Sequence, residues 1–327
     1  SYDVEDTALA LQFRDAIKII EQDLETLKKT LLILANNHKE TICVGRTHGQ
    51  HAVPPTYGMK FAVWANDIQL RLENLKEISK RVLVGKMTGA VGTAAGFGEK
   101  AEEIQQLVMN DLNLNHVEIS TQVIQRDRHA EIVMDLALIA SVLDKIAKEI
   151  RNLQRTEIAE LKEQFTVNQI GSSAMPHKRN PHKSERISGL ARIVRALVMP
   201  ALENIALEHE RDLTNSAPER IIFPESFILV DYMLRQMTQI LNKIELDHDN
   251  IKKNLEMTKG LIMTEHLMNG LVKKDMARQE AHEFLRKASN EVIKTGKTLR
   301  QILLENVISK YFTEQELDWY LDPKNYI

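Results

Sequence analysis

The amino-acid sequence predicts an all-α protein, an elongated bundle of long helices followed by a small helical domain. Three observations support this fold class. Apolar residues recur at three- and four-residue spacing over long stretches of the chain. Aromatic residues make up only 5% of the sequence, so the core must rely on Leu, Ile, Val, Ala and Met. Finally, alternating runs that would indicate strands are scarce.

The first predicted helix runs from Asp6 to about Asn37. Leu9, Phe13 and Ile17 follow the helical spacing there, and no Gly or Pro interrupts the stretch. Helices of about 25–40 residues are stable in water mainly when several pack side by side, so a bundle is expected. Four further helices are predicted at approximately Tyr57–Val84, Arg126–Glu163, Ser184–Glu208 and Glu225–Asn254.

Beyond about Gly260 the apolar pattern changes to shorter helices, with breaks near Gly270, Gly296 and Thr313. We therefore predict a central long-helix domain over residues 1–254 and a small C-terminal helical domain over residues 255–327. Because long packed helices bring their ends together, the segments between them can converge on common sites. These irregular segments are predicted at Cys43–Thr56, Lys86–Glu99, Glu118–Arg126, Gln164–Lys183 and Glu210–Pro224.

Composition excludes several functional classes. The net charge of -3 argues against a dedicated nucleic-acid binder, which usually has a strong basic excess. A single cysteine, Cys43, excludes an internal disulfide framework and indicates a reducing, cytoplasmic environment. The sequence has no signal peptide and no apolar run approaching the ~20 residues that span a bilayer. It opens without methionine and enters a helix almost at once, so we expect it to be the remainder of a longer polypeptide.

The segment GRTHGQHAVPP places His48 between Thr47 and Gly49, close to Arg46. A histidine with a pKa near ~6.5 can donate or accept a proton at neutral pH. A surface or capping histidine is the simpler interpretation of this position. His48 and His51 are three residues apart, as metal ligands can be, but no Asp, Glu or Cys follows at ligand spacing. The sequence therefore predicts no metal.

The glycine-rich segment GAVGTAAGFGE, from Gly89, has a different glycine spacing from GxGxxG, and no strand is predicted before it. A dinucleotide site is therefore disfavoured. A flexible connection and a substrate-binding loop both remain open interpretations.

The segment GSSAMPHKRNPHKSER, from Gly171 to Arg186, has no helical or strand period. Pro176 and Pro181 restrict its backbone. Its Lys, Arg and His side chains face a single acid, Glu185, so its potential should attract an anion. The helix predicted after it presents free N–H groups that suit a carboxylate or phosphate. A solvated basic loop is the alternative, and nucleic-acid binding is opposed by the missing aromatic platform.

The segment HERDLTNSAPER carries Arg211, Ser216 and Arg220, which we name the arginine clamp. We expect these residues in an irregular segment after the end of a helix. Guanidinium groups pair with phosphate through two hydrogen bonds, so the arginine clamp suits a phosphate. Surface ion pairs with Glu210 and Glu219 are the alternative.

The segment GSSAMPHKRNP resembles the signature GSSxMPxKxN of the fumarase/aspartase superfamily. Within that superfamily, GRTHGQHAVPPTYG, TQVIQRDRH and ERDLTNSAPER are most similar to the adenylosuccinate lyase family. The resemblance covers nearly the whole chain and implies a homotetramer, in which the long helices form a common core and loops from three subunits build each active site. It also implies an N-terminal domain ahead of Ser1 that carries a further active-site histidine.

The resemblance implies elimination of fumarate from a succinyl-amine without a cofactor. A base removes the Cβ proton, and the carbanion is delocalised into the neighbouring carboxylate as an aci-carboxylate. An acid then protonates the departing nitrogen. By resemblance, Ser172 is the base, His48 is the acid, and Glu185 orients a histidine. Lys178 would stabilise the serine alkoxide and, with Asn180, hold the substrate carboxylates.

The family pattern implies further contacts with a nucleotide substrate. The arginine clamp would bind the nucleotide phosphate and its surroundings. Sequence alone leaves the choice of base between Ser172 and Ser173 open. The remaining residues expected to bind substrate, most of them at the succinyl portion, are Ser1, Thr47, Gln122, Ser173, Met175 and Arg186.

The function implied is the lyase reaction on adenylosuccinate, giving AMP, and on the succinyl-aminoimidazole-carboxamide ribotide of purine biosynthesis. The alternatives are argininosuccinate lyase and 3-carboxy-cis,cis-muconate cycloisomerase. The cycloisomerase has a very similar MPHKRNP loop but a substrate without phosphate, so the arginine clamp discriminates. A non-catalytic scaffold is opposed by the joint presence of His48, Ser172, Lys178 and Glu185.

Overall fold

A computed structural model describes residues 2–164, 175 and 177–327 of the chain. Most of these residues are helical, which confirms the predicted all-α fold class. The helices are α1 (Tyr2–Asn37), α2 (Tyr57–Val82), α3 (Ala101–Leu112), α4 (Arg126–Leu153), α5 (His182–Ala196), α6 (Val198–Glu203), α7 (Ser216–Leu241), α8 (His248–Glu256), α9 (Thr264–Lys273), α10 (Arg278–Thr295), α11 (Leu299–Glu305) and α12 (Glu314–Leu321).

The strands of the described residues are short and form three separate pairs. The pair β1–β2 is an antiparallel hairpin, β3–β4 is parallel and β5–β6 is antiparallel. None of the helices formed by the described residues combines the length and the apolar composition needed to cross a membrane. The strands are β1 (Gly45–Thr47), β2 (Gln50–Ala52), β3 (Val84–Gly85), β4 (Asn115–His116), β5 (Leu161–Lys162) and β6 (Glu245–Leu246).

Helices α1 and α2 agree with the predicted ranges. Most apolar positions that predicted α1 form its buried face, since Phe13, Ile17, Ile20 and Leu24 are all nearly inaccessible to solvent, whereas Leu9 is half-buried. Phe13 packs edge-on against Phe223 of α7, with ring centroids 5.0 Å apart.

The predicted extension of the third helix to Glu163 is wrong, because α4 ends at Leu153. The carbonyl of Arg155 accepts from the amides of Ile158 and Ala159, at 3.0 and 2.7 Å. Ala159 takes a left-handed backbone with φ of 51°, which no helix tolerates in its interior. Leu161, three residues after Ile158, keeps the helical spacing but lies in β5.

The predicted helix Ser184–Glu208 consists of two helices, α5 and α6. Pro200, in α6, has no N–H to donate to the carbonyl of Ala196, where α5 ends. The prediction also placed the helix end too late, since α6 ends at Glu203.

The predicted start of the fifth helix at Glu225 is also wrong, because the helix begins earlier in the chain. Helix α7 begins at Ser216 and contains Pro224 in its interior. Proline costs the helix one backbone hydrogen bond, but buried neighbours such as Phe223 and Phe227 hold α7 in place. The segment Glu210–Pro224 is therefore irregular only in its first part, and α8 is a separate helix.

Two of the three breaks expected in the C-terminal region are confirmed. Gly296 ends α10 with φ of 75°, and Thr313 begins α12 with a capping box. Gly270 lies inside α9, so that break is wrong. A Cβ at Gly270 would lie 2.6 Å from the ring of Tyr320, so this glycine permits close packing rather than a turn.

The chain divides into two compact units. The first comprises Ser1–Leu32, Val63–Asn152 and Glu163–Ile244, and polar contacts join its long helices laterally. Asn74 of α2 donates to Asp135 of α4 at 2.6 Å, and Arg151 of α4 donates to Ser188 of α5 at 2.8 Å. The predicted division into residues 1–254 and 255–327 remains a prediction.

The second unit comprises Ile33–Ala62, Leu153–Lys162 and Glu245–Ile327. Helices α9 to α12 enclose a core that includes Leu267, Leu271, Leu285 and Leu303. The β1–β2 hairpin and the β5–β6 pair belong to this unit as well.

Candidate active site

The β1–β2 hairpin presents His48 at its tip. His48 and Gly49 are the two central residues of the turn, with φ of 54° and 73°. Two positive φ angles define the turn type that matches the twist of a hairpin, and glycine is preferred in it. Thr47 and His48 are exposed. The prediction of an irregular segment at Cys43–Thr56 is therefore wrong. The flanking strand residues Arg46, Thr47, Gln50 and His51 are polar, so no alternation of apolar and polar residues indicated a hairpin.

Gln122 and Arg211, two predicted substrate-binding residues, are in direct contact. The Arg211 guanidinium donates to Oε1 of Gln122 at 2.8 Å, and the Gln122 amide nitrogen Nε2 donates to the carbonyl of Ala90 at 2.8 Å. The Arg211 guanidinium also stacks on the ring of Tyr2, 3.6 Å from its centroid. One glutamine thus joins the glycine-rich segment to the segment that begins the arginine clamp.

A buried ion pair holds the start of α1 against the glycine-rich segment. Lys86, which is fully buried, donates to the carboxylate of Asp3. The Asp3 carboxylate also accepts from the amides of Thr88 at 3.1 Å and Gly89 at 3.2 Å. Burial alone would raise the pKa of Asp3, but Lys86 and these amides outweigh it and hold the pKa below its ordinary value.

Ser216 and Arg220 line a cavity of about 700 Å³ between α1 and α7. Both residues lie in the first turns of α7 rather than in an irregular segment, which corrects the prediction. The amide of Ser216 already donates to the carbonyl of Leu213 at 3.1 Å, so its hydroxyl is the group available to a ligand. Apolar side chains such as Leu9 and Phe223 form much of the wall.

Part of the cavity lining is a buried charge network. Arg126 pairs with Asp6 at 2.8 Å and with Glu219 at 2.9 Å. Burial raises the pKa of the Glu219 carboxyl above its ordinary value, and Arg126 only partly opposes this. Because Glu219 pairs with the buried Arg126, it does not form the surface ion pair that was the alternative interpretation of this segment.

The predicted serines Ser172 and Ser173, and Ser1, lie outside the described residues. Met175 and Lys178 are exposed, and the amide of Lys178 donates to the carbonyl of Met175 at 3.0 Å. Asn180 is half-buried just before α5.

Glu185 and Arg186 are exposed in the first turn of α5. The Arg186 guanidinium donates to the hydroxyl of Tyr232 on α7 at 2.8 Å. The expectation of free N–H groups at this helix start needs a correction, since the Glu163 carboxylate accepts from the amide of Ser184 at 2.8 Å and from its hydroxyl at 2.5 Å. A carboxylate of the protein itself occupies that position.

Sequence reasoning missed the polar residues that hold the candidate site residues in place. Tyr2, Asp3 and Glu163 carry no motif that distinguishes them. Lys86 did have a signal, because it directly follows the apolar run from Val82 to Gly85, where a lysine is expected only if it is paired.

Comparisons with known proteins agree with the fold and with the motifs. Residues 1–196 match the family described as Lyase, and residues 260–327 match the family described as Adenylosuccinate lyase C-terminus. The chain is 54% identical over its whole length to an adenylosuccinate lyase of Pyrococcus abyssi, covering 73% of that protein. It is 43% identical to one of Aquifex aeolicus, again over the whole chain and 74% of the relative.

Solved structures share the fold. A fumarate lyase from Mesorhizobium sp. BNC1 superposes with a TM-score of 0.91 at 33% identity, covering the whole chain and 74% of that structure. A beta-carboxy-cis,cis-muconate cycloisomerase from Acinetobacter calcoaceticus superposes with a TM-score of 0.89 at 30% identity, covering 99% of the chain and 72% of that structure. With these similarities over its full length, the chain belongs to the adenylosuccinate lyase family of the fumarase/aspartase superfamily.

Proposed function

We propose that the chain catalyses β-elimination of fumarate from adenylosuccinate, giving AMP, and the same elimination from the succinyl-aminoimidazole-carboxamide ribotide of purine biosynthesis. The observation that carries this function is identity of 43–54% to curated adenylosuccinate lyases over the full length of the chain. The signature segments lie within this match and supply the groups that the reaction needs.

The reaction requires a base, an acid and a way to stabilise negative charge. Ser172 removes the Cβ proton of the succinyl group, and the electron pair enters the adjacent carboxylate. Lys178 and Asn180 stabilise that aci-carboxylate. The C–N bond then breaks, and His48 protonates the departing amine, so that fumarate and AMP result. Exposure of His48 at the tip of a hairpin supports its role as the acid, because an exposed imidazole can approach a bound substrate.

Binding of the nucleotide is assigned to the arginine clamp. The cavity beside Ser216 and Arg220 has an apolar wall that suits a nucleoside, and both side chains are polar groups on that wall. Arg211 is held by Gln122, which the family pattern assigns to the succinyl portion. This contact supports a substrate that spans both residues.

We further propose that the protein is a homotetramer with active sites shared between three subunits. Apolar side chains on α4 and α7 support this assembly. Met134 and Leu138 are 38% and 50% exposed, and Ile221 and Ile228 are 60% and 61% exposed. Each pair is spaced so that it lies on one face of its helix. Exposed apolar faces of this kind favour association with another protein surface.

The muconate cycloisomerase reaction is the second candidate, because a cycloisomerase is among the structures that share the fold. Its lower identity of 30%, against 54% for an adenylosuccinate lyase, favours the lyase. Purine biosynthesis as the pathway and a cytoplasmic location accompany the proposed function as predictions.

A parallel assay tests the function. The enzyme is incubated separately with adenylosuccinate, argininosuccinate and carboxymuconate, and each substrate is followed by its ultraviolet absorbance and by release of product. We expect turnover of adenylosuccinate alone among the three. Turnover of either other substrate with none of adenylosuccinate would overturn the assignment.

The role of the base is tested by Ser172→Ala. We expect kcat to fall by ~10²–10⁴, as for a lost general base, while the size of the assembly on a sizing column stays unchanged. Ser173→Ala is the matched control and should retain far more activity. The reverse order of the two variants would transfer the role of base to Ser173.

A further inference from the structure

Glu160 is a fully buried carboxylate that the signature motifs do not include. It accepts hydrogen bonds from three side chains of different segments. Arg46 donates to Oε1 at 2.5 Å, the Tyr57 hydroxyl donates to Oε2 at 2.6 Å, and the Asn254 amide donates to Oε1 at 2.8 Å. These segments are β1, the first residue of α2 and the end of α8.

Such a carboxylate is costly to bury unless cations and donors surround it. Arg46 supplies the positive charge, and only 18% of its side chain is exposed. Burial, together with the Glu160 carboxylate, raises the pKa of Tyr57 far above its ordinary value. Tyr57 therefore stays protonated, and its hydroxyl must act as a donor. Hydrogen bonds thus hold both oxygens of the Glu160 carboxylate.

The backbone of Glu160 is fixed as well. Its amide donates to the carbonyl of Leu153 at the end of α4, at 3.0 Å. Its carbonyl accepts from the amide of Asp247 at 2.9 Å, and Asp247 caps the start of α8. The residue directly after it begins β5. Both the side chain and the backbone of Glu160 are therefore held in place within its compact unit.

The β1–β2 hairpin needs a contact outside itself to hold it in position. It has only three residue pairs, and a hairpin this short is marginally stable by itself. Arg46 directly precedes Thr47 in β1, and its partner across the hairpin is His51. The position of Arg46 therefore determines where the turn with His48 lies. A shift of about 1 Å in a reacting group can cost about 100-fold in rate.

We infer that Glu160 is a positioning residue, which acts through Arg46 to place Thr47 and His48 for proton transfer to the departing amine. This inference rests on the proposed function for the reaction that it serves. Glu160 does not touch substrate in this role. It determines the geometry of the acid, and so it should affect kcat rather than KM.

The test is Glu160→Gln in the active assembled enzyme, which keeps the size of the side chain and removes its charge. We expect kcat on adenylosuccinate to fall about 10- to 100-fold, with little change in KM. Lys162→Met is the matched control. It removes the nearby Lys162–Asp247 ion pair, of 2.7 Å, without touching the hairpin, and should leave kcat unchanged.

A double-mutant cycle tests whether the effect passes through Arg46. Arg46→Lys keeps the charge but loses the forked geometry. If Glu160 acts through Arg46, then Glu160→Gln should cost much less kcat in the Arg46→Lys background than in the wild type. Losses that simply multiply would overturn the proposed route.

Hydrogen exchange of the segment 43–56 gives a readout that does not require activity. We expect faster exchange of this segment in Glu160→Gln, and unchanged exchange in Lys162→Met. Unchanged exchange in both would overturn the positioning role. If the wild type fails to turn over adenylosuccinate, the proposed function fails, and hydrogen exchange still decides whether Glu160 places the hairpin. Faster exchange with an unchanged kcat would show that this placement does not serve the reaction.

Discussion

Arg46 and Arg211 occupy comparable places in the sequence, each in a connecting segment beside predicted site residues, but their partners differ in charge. Arg46 donates to the buried carboxylate of Glu160. Arg211 donates to the neutral amide of Gln122 and stacks on the neutral ring of Tyr2. Among the residues that the structure describes, no carboxylate forms an ion pair with Arg211.

The difference in partners indicates different roles for Arg46 and Arg211. The charge of Arg46 is compensated inside the protein, so its guanidinium can stabilise and orient the hairpin but has little charge left for an anion. Arg211 is held in place by neutral groups and forms no ion pair among the described residues, although its charge helps to lower the pKa of the exposed neighbour Asp212. A guanidinium held in this way remains available to bind phosphate or carboxylate. Arg126, beside the cavity, belongs with Arg46, since Asp6 and Glu219 neutralise it.

The two arginines should differ most in what they contribute to stability. Arg46→Met leaves Glu160 buried without its cation, and removal of one partner of a buried pair typically costs about 3–5 kcal/mol. We expect the free energy of unfolding in urea to fall by this amount. Arg286→Met, which removes an exposed ion pair with Glu283, is the control and should change the free energy of unfolding far less. Equal stabilities of the two variants would mean that Arg46 is not structural.

Arg211→Met should lower catalytic efficiency and leave stability nearly unchanged. It removes a guanidinium that forms no ion pair, and a hydrogen bond to a charged group contributes about 1.5–3 kcal/mol. We expect kcat/KM for adenylosuccinate to fall about 10- to 150-fold, while the unfolding midpoint stays near that of the wild type. The same kinetic and urea measurements are made on Arg46→Met and on Arg211→Met. A loss of stability without loss of kcat/KM would make Arg211 a structural arginine like Arg46.

The smallest expected effect is on the pH dependence of stability, through His51, the partner of Arg46 across the hairpin. Burial lowers the pKa of His51, Arg46 lowers it further, and Glu160 opposes the shift. Because the folded state binds the proton less readily than the unfolded state, the stability from neutral His51 is fully present above about pH 6.5 and is lost as the pH falls. One proton changes the unfolding free energy by at most about 1.4 kcal/mol per pH unit.

His51→Gln should therefore reduce the loss of stability between about pH 7 and pH 5, measured by urea unfolding against the wild type. Glu160→Gln should enlarge that loss, since it removes the group that opposes the shift. A pH dependence that neither variant changes would mean that His51 does not sense the charge of Arg46.

The all-α class could be predicted from the sequence alone, because helical spacing of apolar residues directly reflects one buried face, as in α1. Local signals also predicted the breaks near Gly296 and Thr313, where the structure has the glycine end of α10 and the capped start of α12. The signature segments identified the family and named Gln122 and Arg211, but not that they touch. Local chemistry cannot report contacts between residues that lie 89 positions apart.

The ends of the helices and the pairing of buried charges depend instead on contacts between distant segments. Helix α7 runs through Pro224 because packing outweighs one lost hydrogen bond, and α4 ends before Glu160 although apolar spacing continues. Glu160 and Arg46 are 114 positions apart, and nothing in either segment marks them as a pair. The energy of a buried charge depends on the groups that folding brings around it, and that is why sequence alone could not separate Arg46 from Arg211.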